Sequence, residues 1–279
     1  MSRVAVVTDS TADVETTEAE RLGIAVVPLN VHWNGETYKE KVELTIDEFY
    51  RKLREEHGVP KTSQPPSGEF ETVYRRLLAE ADGVVSIHIS GKLSGTMNAA
   101  QVAARNVAPD RIVVVDSLTT SFGLGMITER VAKLAAEGAS LEACADLARS
   151  LVPRVRLVVG LDTLEFLRRG GRIGRARALA ANLLSIKLVF EVLDGEVVPV
   201  DRVRTRSAVV RRVAERVSEL GPLEELAICY GDDPEPAQQL RALLEGAVPG
   251  LAILSGRIGP VLGAHLGPGV FAACALTAA

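Results

Sequence analysis

Aromatic side chains make up 4% of the 279 residues, and there are only three cysteines and four histidines. So few rings leave little on which bases or sugars could stack. Ala, Val and Leu abound instead, and such residues readily line an aliphatic cavity. Cys144, Cys229 and Cys274 stand far apart without C-x-x-C spacing, which argues against a zinc site and a disulfide framework and for reduced, buried thiols. His32, His57, His88 and His265 lack H-x-x-x-H pairing, so neither a metal nor a cofactor is expected. The net charge of -4 gives no overall basic field for nucleic acid, and any anion contact must be local. No stretch supplies eighteen uncharged apolar residues, so no membrane span is expected. The apolar run ahead of Thr8 and Asp9 is too short for the core of a signal peptide, and the expected location is cytoplasmic. G-x-x-x-x-G-K-[ST], a post-strand G-x-G-x-x-G and G-x-S-x-G are all missing.

What is present is an alternation of β-branched runs with helix-compatible segments, the pattern of a doubly wound α/β domain. RVAVV opens a first strand, a helix follows to Leu22, and Ile24 to Val31 reads as a second strand. Thr45 is placed to cap a helix from about Ile46 to Glu55. Further strands are expected at Gly83 to Ile89 and Arg111 to Ser117, with helices over Phe70 to Ala81, Ser121 to Glu137 and Leu141 to Val152. A second α/β unit begins near Leu157, so the domains are expected at 1–156 and 157–279. It starts with the strand VRLVVGL and continues in a helical stretch, broken at Gly170 and Gly171, that runs on to about Ser185. The Asp194-Gly195 pair between β-branched runs signals a tight hairpin. A helix over Thr205 to Leu220, LAICYG, a helix over Glu235 to Gly246, LAILSG and a strand over Val270 to Ala275 complete it.

Several polar loops could carry chemistry. SGKLSGTMNAA, Ser90 to Ala100, joins a buried strand to a helix, and such loops sit where ligands collect in open α/β sheets. Ser94 and Thr96 would face a ligand there, or Ser94 would simply order the turn. Thr8 to Thr11, with Ser10 among them, would bind a ligand or cap the helix that follows. KTSQPP presents Thr62 and Ser63 on a loop stiffened by two prolines, or is a plain connection. Arg168, Arg169, Arg172, Arg175 and Arg177 crowd a glycine-broken segment, either as a solvated helix end or as an anion or acidic-partner site. His265 lies among glycines and prolines, as a structural residue or a carboxylate partner.

Taken together, VVTDST, KTSQPPSGEF, SGKLSGTMNAA, VDS, LDTLEFLRRGGRIG, RVRTRSA and GPVLGAHLGPG resemble, in order and spacing, the DegV family. The resemblance covers nearly the whole chain. It implies two α/β domains with a lipid site reaching the domain interface, and a long-chain fatty acid as ligand. It implies further that Thr62 and Ser94 hold the carboxylate with His265 in the same carboxylate-binding network; Ser10, Ser63, Gly95, Thr96 and Asn98 of the polar loops are further pocket candidates. Arg169 and Arg172 match positions tied to the head group or to a partner kinase, and Arg202 and Arg204 match a basic pair facing that partner. The implied role is that of a carrier rather than an enzyme. It presents the acid to a separate ATP-dependent kinase, and the acyl-phosphate passes to an acyltransferase of phospholipid synthesis. A serine esterase or thioesterase with Ser94 as nucleophile, His265 as base and Asp9 or Asp116 as orienting acid is the alternative. Leu188 stands where the family commonly has proline, from which only a local change in backbone stiffness is expected.

Overall fold

β-branched runs that alternate with helices can bury both faces of a parallel sheet, and the first half of the chain does so. The computed structural model describes residues 3–56, 58–175 and 187–279. His57, Arg177 and the C-terminal part of the helical stretch expected to reach Ser185 lie outside the described residues. In chain order the elements begin β1 (Val4–Asp9), α1 (Thr16–Leu22), β2 (Ile24–Val27), β3 (Asn30–Trp33) and β4 (Glu36–Lys39). Next come α2 (Ile46–Glu55), β5 (Lys61–Ser63), α3 (Ser67–Leu78), β6 (Gly83–His88) and α4 (Thr96–Val107). β7 (Ile112–Asp116), α5 (Ser121–Ala136) and α6 (Leu141–Leu151) follow, then β8 (Val155–Leu161), α7 (Glu165–Arg169) and β9 (Lys187–Leu193). The chain closes with β10 (Glu196–Val203), α8 (Arg206–Ser218), β11 (Leu223–Tyr230), α9 (Glu235–Ala247), β12 (Ile253–Arg257), α10 (Pro260–Leu266) and β13 (Phe271–Thr277).

The first compact unit comprises Met1–Asn30 and Thr62–Pro153. Its sheet runs β2-β1-β6-β7, every pair parallel, with Val6 opposite Ile24 and Val7 opposite Ser86. The order reverses at β1, so the loops after β1 and β6 flank the crevice where open α/β sheets bind ligands. Val7, Val27, Val84 and Ile112 of the sheet pack against Phe70, Tyr74, Ala100 and Ala103 of α3 and α4.

The second unit comprises Val31–Lys61 and Arg154–Ala279. Its six-stranded sheet runs β10-β9-β8-β13-β11-β12, antiparallel except for β11 with β12. Val158, Val189, Ile228 and Phe271 meet Val209, Val213 and Leu240 of α8 and α9 in its core. Asp194 (φ 48) and Gly195 (φ 79) both take left-handed backbone, which a tight two-residue hairpin between β9 and β10 requires. Leu188 is buried in β9 opposite Leu161 and Arg202, an interior strand position where an amide is useful and a proline would remove it.

The strand order suggests a contiguous first domain, whereas residues 31–61 belong to the second unit. The ties are specific. Tyr50 Oη donates to Ile258 O (3.1 Å), Val261 N donates to the buried Glu40 carboxylate (2.7 Å), and Arg54 pairs with Asp232. Three elements also depart from expectation. Pro28 divides Ile24 to Val31 into β2 and β3, and the Leu29 amide turns to Ser10 Oγ (2.9 Å) instead of a ladder partner. KTSQPP contains the short strand β5, and GPVLGAH, for which no helix was expected, forms α10 with Pro260 in its first turn. Among the described residues no helix is long and apolar enough to cross a membrane.

Candidate functional site

The polar loops of the first unit lie at the carboxyl ends of its parallel strands. Asp9 ends β1, and its fully buried carboxylate accepts from Thr11 N (3.1 Å), Thr11 Oγ1 (2.5 Å) and Ile89 N (3.0 Å). Its Oδ2 also lies 3.0 Å from His88 Nδ1. The chain continues from His88 Nε2 to Ser86 Oγ (2.7 Å) and from Ser86 Oγ to Tyr74 Oη (2.8 Å). Burial pushes the Tyr74 phenol well above its usual range. Nothing in the sequence pattern singles out this network, because Ser86 and His88 sit inside what reads as an apolar strand. Ser86, His88 and Asp9 have the connectivity of a hydrolytic triad, yet all three are closed off from solvent.

The network anchors the SGKLSGT loop, since Ile89 leads directly into it. Ser94 N donates to Ser90 O (3.1 Å), Ser94 Oγ lies 2.9 Å from Thr96 Oγ1, and Thr96 N donates to Ser94 Oγ (3.3 Å). Ser94 therefore orders the start of α4 and keeps spare hydrogen-bonding capacity in a half-buried position. A Cβ on Gly95 would stand 2.8 Å from Gln64 Nε2, so the Gln64 amide packs directly on the loop. That contact puts the Gln64 side chain of the KTSQPP loop against the SGKLSGT loop at Gly95. Ser63 Oγ accepts from Asn30 Nδ2 (3.3 Å), while Thr62 and Ser63 are half-buried. Ser10 is buried with its hydroxyl on the Leu29 amide, a loop-ordering role, and Asn98 is exposed on α4. Asp116 accepts from Gly91 N (3.1 Å) and Leu118 N (2.9 Å).

In the second unit His265 sits near the end of α10 against Gly170, where an added Cβ would come 2.1 Å from Nδ1. Burial, helped by the Arg172 guanidinium, lowers the imidazole pKa to about 4, so the ring is neutral at pH 7. Arg172 Nη1 donates to Gly170 O (2.8 Å), which fixes this guanidinium beside His265. Arg169 is different: it is exposed and its Nε donates to Glu165 (2.6 Å), which also binds Arg168. Arg202, at the end of the edge strand β10, and Arg204 are both exposed, and neither side chain has a partner among the described residues. A cavity of about 580 Å³ opens at the opposite end of the first sheet, by Arg3, Val4, Leu22, Leu77 and Ala132, away from these loops. Among the described residues no cluster of His, Cys, Asp and Glu could hold a metal ion.

These features define an α/β protein of two units whose hydroxyl-bearing strand-to-helix loops offer hydrogen bonds to a small polar group. The family model for "uncharacterised protein, DegV family" matches residues 3–278, and the chain belongs to the DegV family. A DegV domain-containing protein of Streptomyces coelicolor is 37% identical over 275 residues, 97% of each chain. Among solved structures, a DegV family protein from Thermus thermophilus, described by its fatty acid binding, is 37% identical with a TM-score of 0.91, covering 99% of this chain and 100% of that one. DegV of Bacillus subtilis, described as a fatty acid binding protein, is 31% identical with a TM-score of 0.90 over the full length of both.

Proposed function

We propose that this protein binds a long-chain fatty acid, with Thr62, Ser94 and His265 as the carboxylate-binding residues and Arg172 lending positive charge beside the histidine. The observation that carries the reading is His265. It is a neutral imidazole, held against Gly170 and next to a fixed guanidinium, on a chain 37% identical throughout to a relative described by its fatty acid binding. A neutral ring can hydrogen-bond a carboxylate without contributing a second buried charge. Burying each methylene is worth about 0.8 kcal/mol, so about sixteen carbons gain on the order of 10 kcal/mol before the costs of binding. Hydrogen bonds to a charged group add about 1.5–3 kcal/mol each and set orientation. The tail supplies most of the affinity and the polar loops fix the head.

The protein then acts as a carrier in the cytoplasm. It presents the carboxylate to a separate ATP-dependent fatty acid kinase, and the acyl-phosphate passes to an acyltransferase of phospholipid synthesis. Arg202 and Arg204, exposed and without a side-chain partner among the described residues, suit docking of an acidic partner face, and the exposed Arg169 would serve the same partner or the head group. An esterase built on Ser94 and His265 is less well supported, because Asp9 is engaged by His88 and Asp116 by two backbone amides. The test is extraction of the protein, purified from cells, with organic solvent, followed by mass spectrometry of the extract. One fatty acid per chain is expected. Its absence, or hydrolysis of coenzyme A esters lost in Ser94→Ala, overturns the carrier reading.

A further inference from the structure

The loop between β7 and α5 contains two buried hydroxyls that bond nothing among the described residues. Thr119 and Thr120 are 4% and 6% exposed, and neither Oγ1 has a hydrogen-bond partner among the described residues. Thr120 is the residue preceding the 16-residue helix α5, the position from which a threonine ordinarily bonds a first-turn amide, yet its side chain makes no such bond. The first-turn amides of a helix have no partner within it and carry its positive dipole end. The loop is held in a costly shape as well, with Leu118 (φ 51) and Ser121 (φ 54) in the left-handed region that non-glycine residues rarely enter.

The surroundings tie this loop to Ser94. Ser90 N donates to Thr119 O (3.0 Å), and Ser90 O in turn accepts from Ser94 N (3.1 Å). Ser117 N donates to His88 O (3.1 Å), so the loop is fastened to the ends of both neighbouring strands. Ser121 Oγ donates to the buried Asp13 carboxylate (2.8 Å), which leaves the two threonines as the hydroxyls awaiting a partner.

We propose that Thr119 and Thr120, with the first turn of α5, are further head-group residues and donate to an oxygen of the ligand's carboxylate. The inference rests on the fatty-acid reading above and adds a position to it. The strained loop, the uncapped helix and the two buried hydroxyls then have one explanation: the geometry is set for an acceptor supplied by the ligand.

The experiment compares delipidated wild-type protein with the double variants T119V/T120V and T119S/T120S, titrated with palmitate and with methyl palmitate. Valine is expected to weaken palmitate binding about tenfold or more, the scale of a lost hydrogen bond to a charged group, and to leave the ester within about twofold. Serine retains the hydroxyls and is expected to keep palmitate affinity. Removing unpartnered hydroxyls is also expected to leave the melting temperature of the ligand-free valine variant equal to or above that of wild type. A palmitate affinity unchanged by valine overturns the inference, as does equal weakening for acid and ester, or a lowered ligand-free melting temperature, which would mark the threonines as purely structural. If wild type binds palmitate and Thr62→Val weakens it while T119V/T120V does not, this position alone is rejected. If wild type binds no palmitate, the fatty-acid reading itself is rejected.

Discussion

Gly170 and His265 show how one missing side chain sets the chemistry of another. Because the Gly170 backbone occupies the space beside Nδ1, the ring is confined next to Arg172, and burial with that charge lowers its pKa from 6.5 to about 4. The folded-state value lies below the unfolded one, so between those two pH values the unfolded chain binds the proton and the folded chain does not. Stability is therefore full above pH 6.5 and falls as the pH drops toward 4, by at most about 3 kcal/mol from this residue. His265→Gln should flatten that part of the stability–pH curve, measured by urea denaturation at a series of pH values. The histidine itself was legible in the sequence from its glycine-rich setting. Its contact with Gly170 was not, since 95 residues separate the two and nothing local links them.

At the scale of elements, local chemistry predicts well where the signal is a side chain acting on its own backbone. Thr45 and Glu48 form a reciprocal capping box at the start of α2, with Glu48 N to Thr45 Oγ1 at 3.2 Å and Thr45 N to Glu48 Oε2 at 3.0 Å. Thr45→Ala should cost about 1 kcal/mol, read as a lower midpoint in thermal or denaturant unfolding with an unchanged slope. The Asp194-Gly195 hairpin is equally local, and so is the parallel strand Gly83–His88. The elements without a signal in the sequence, β4, β5 and α10, are seven residues long or shorter. Pieces of that length carry too few turns or alternations to show a period, and tertiary packing decides their form. The four-residue network from Tyr74 to Asp9 was hidden for the same kind of reason, because its members become neighbours only once α3, β6 and β1 have packed.

For the molecule as a whole, alternation of strands and helices announces the α/β class and suggests a second unit from near Leu157, but it cannot announce that residues 31–61 group with the second unit. Membership there is decided by long-range pairs such as Tyr50 with Ile258 and Val261 with Glu40. A fragment cut at the apparent boundary, residues 157–279, would lack α2 and the Glu40 carboxylate. It is expected to show no cooperative unfolding transition on its own and to gain one when residues 31–61 are fused back through a flexible linker, as followed by circular dichroism on heating. The same connectivity bears on biosynthesis. Tyr50 leaves the ribosome 208 residues ahead of the carbonyl it will bond, which at about 5–20 residues per second is a wait of roughly 10–40 s. Through that interval Trp33, Phe49 and Tyr50, three of the largest side chains that end fully buried, have no completed unit to enter, so the nascent chain carries apolar surface whose only cover is synthesised last.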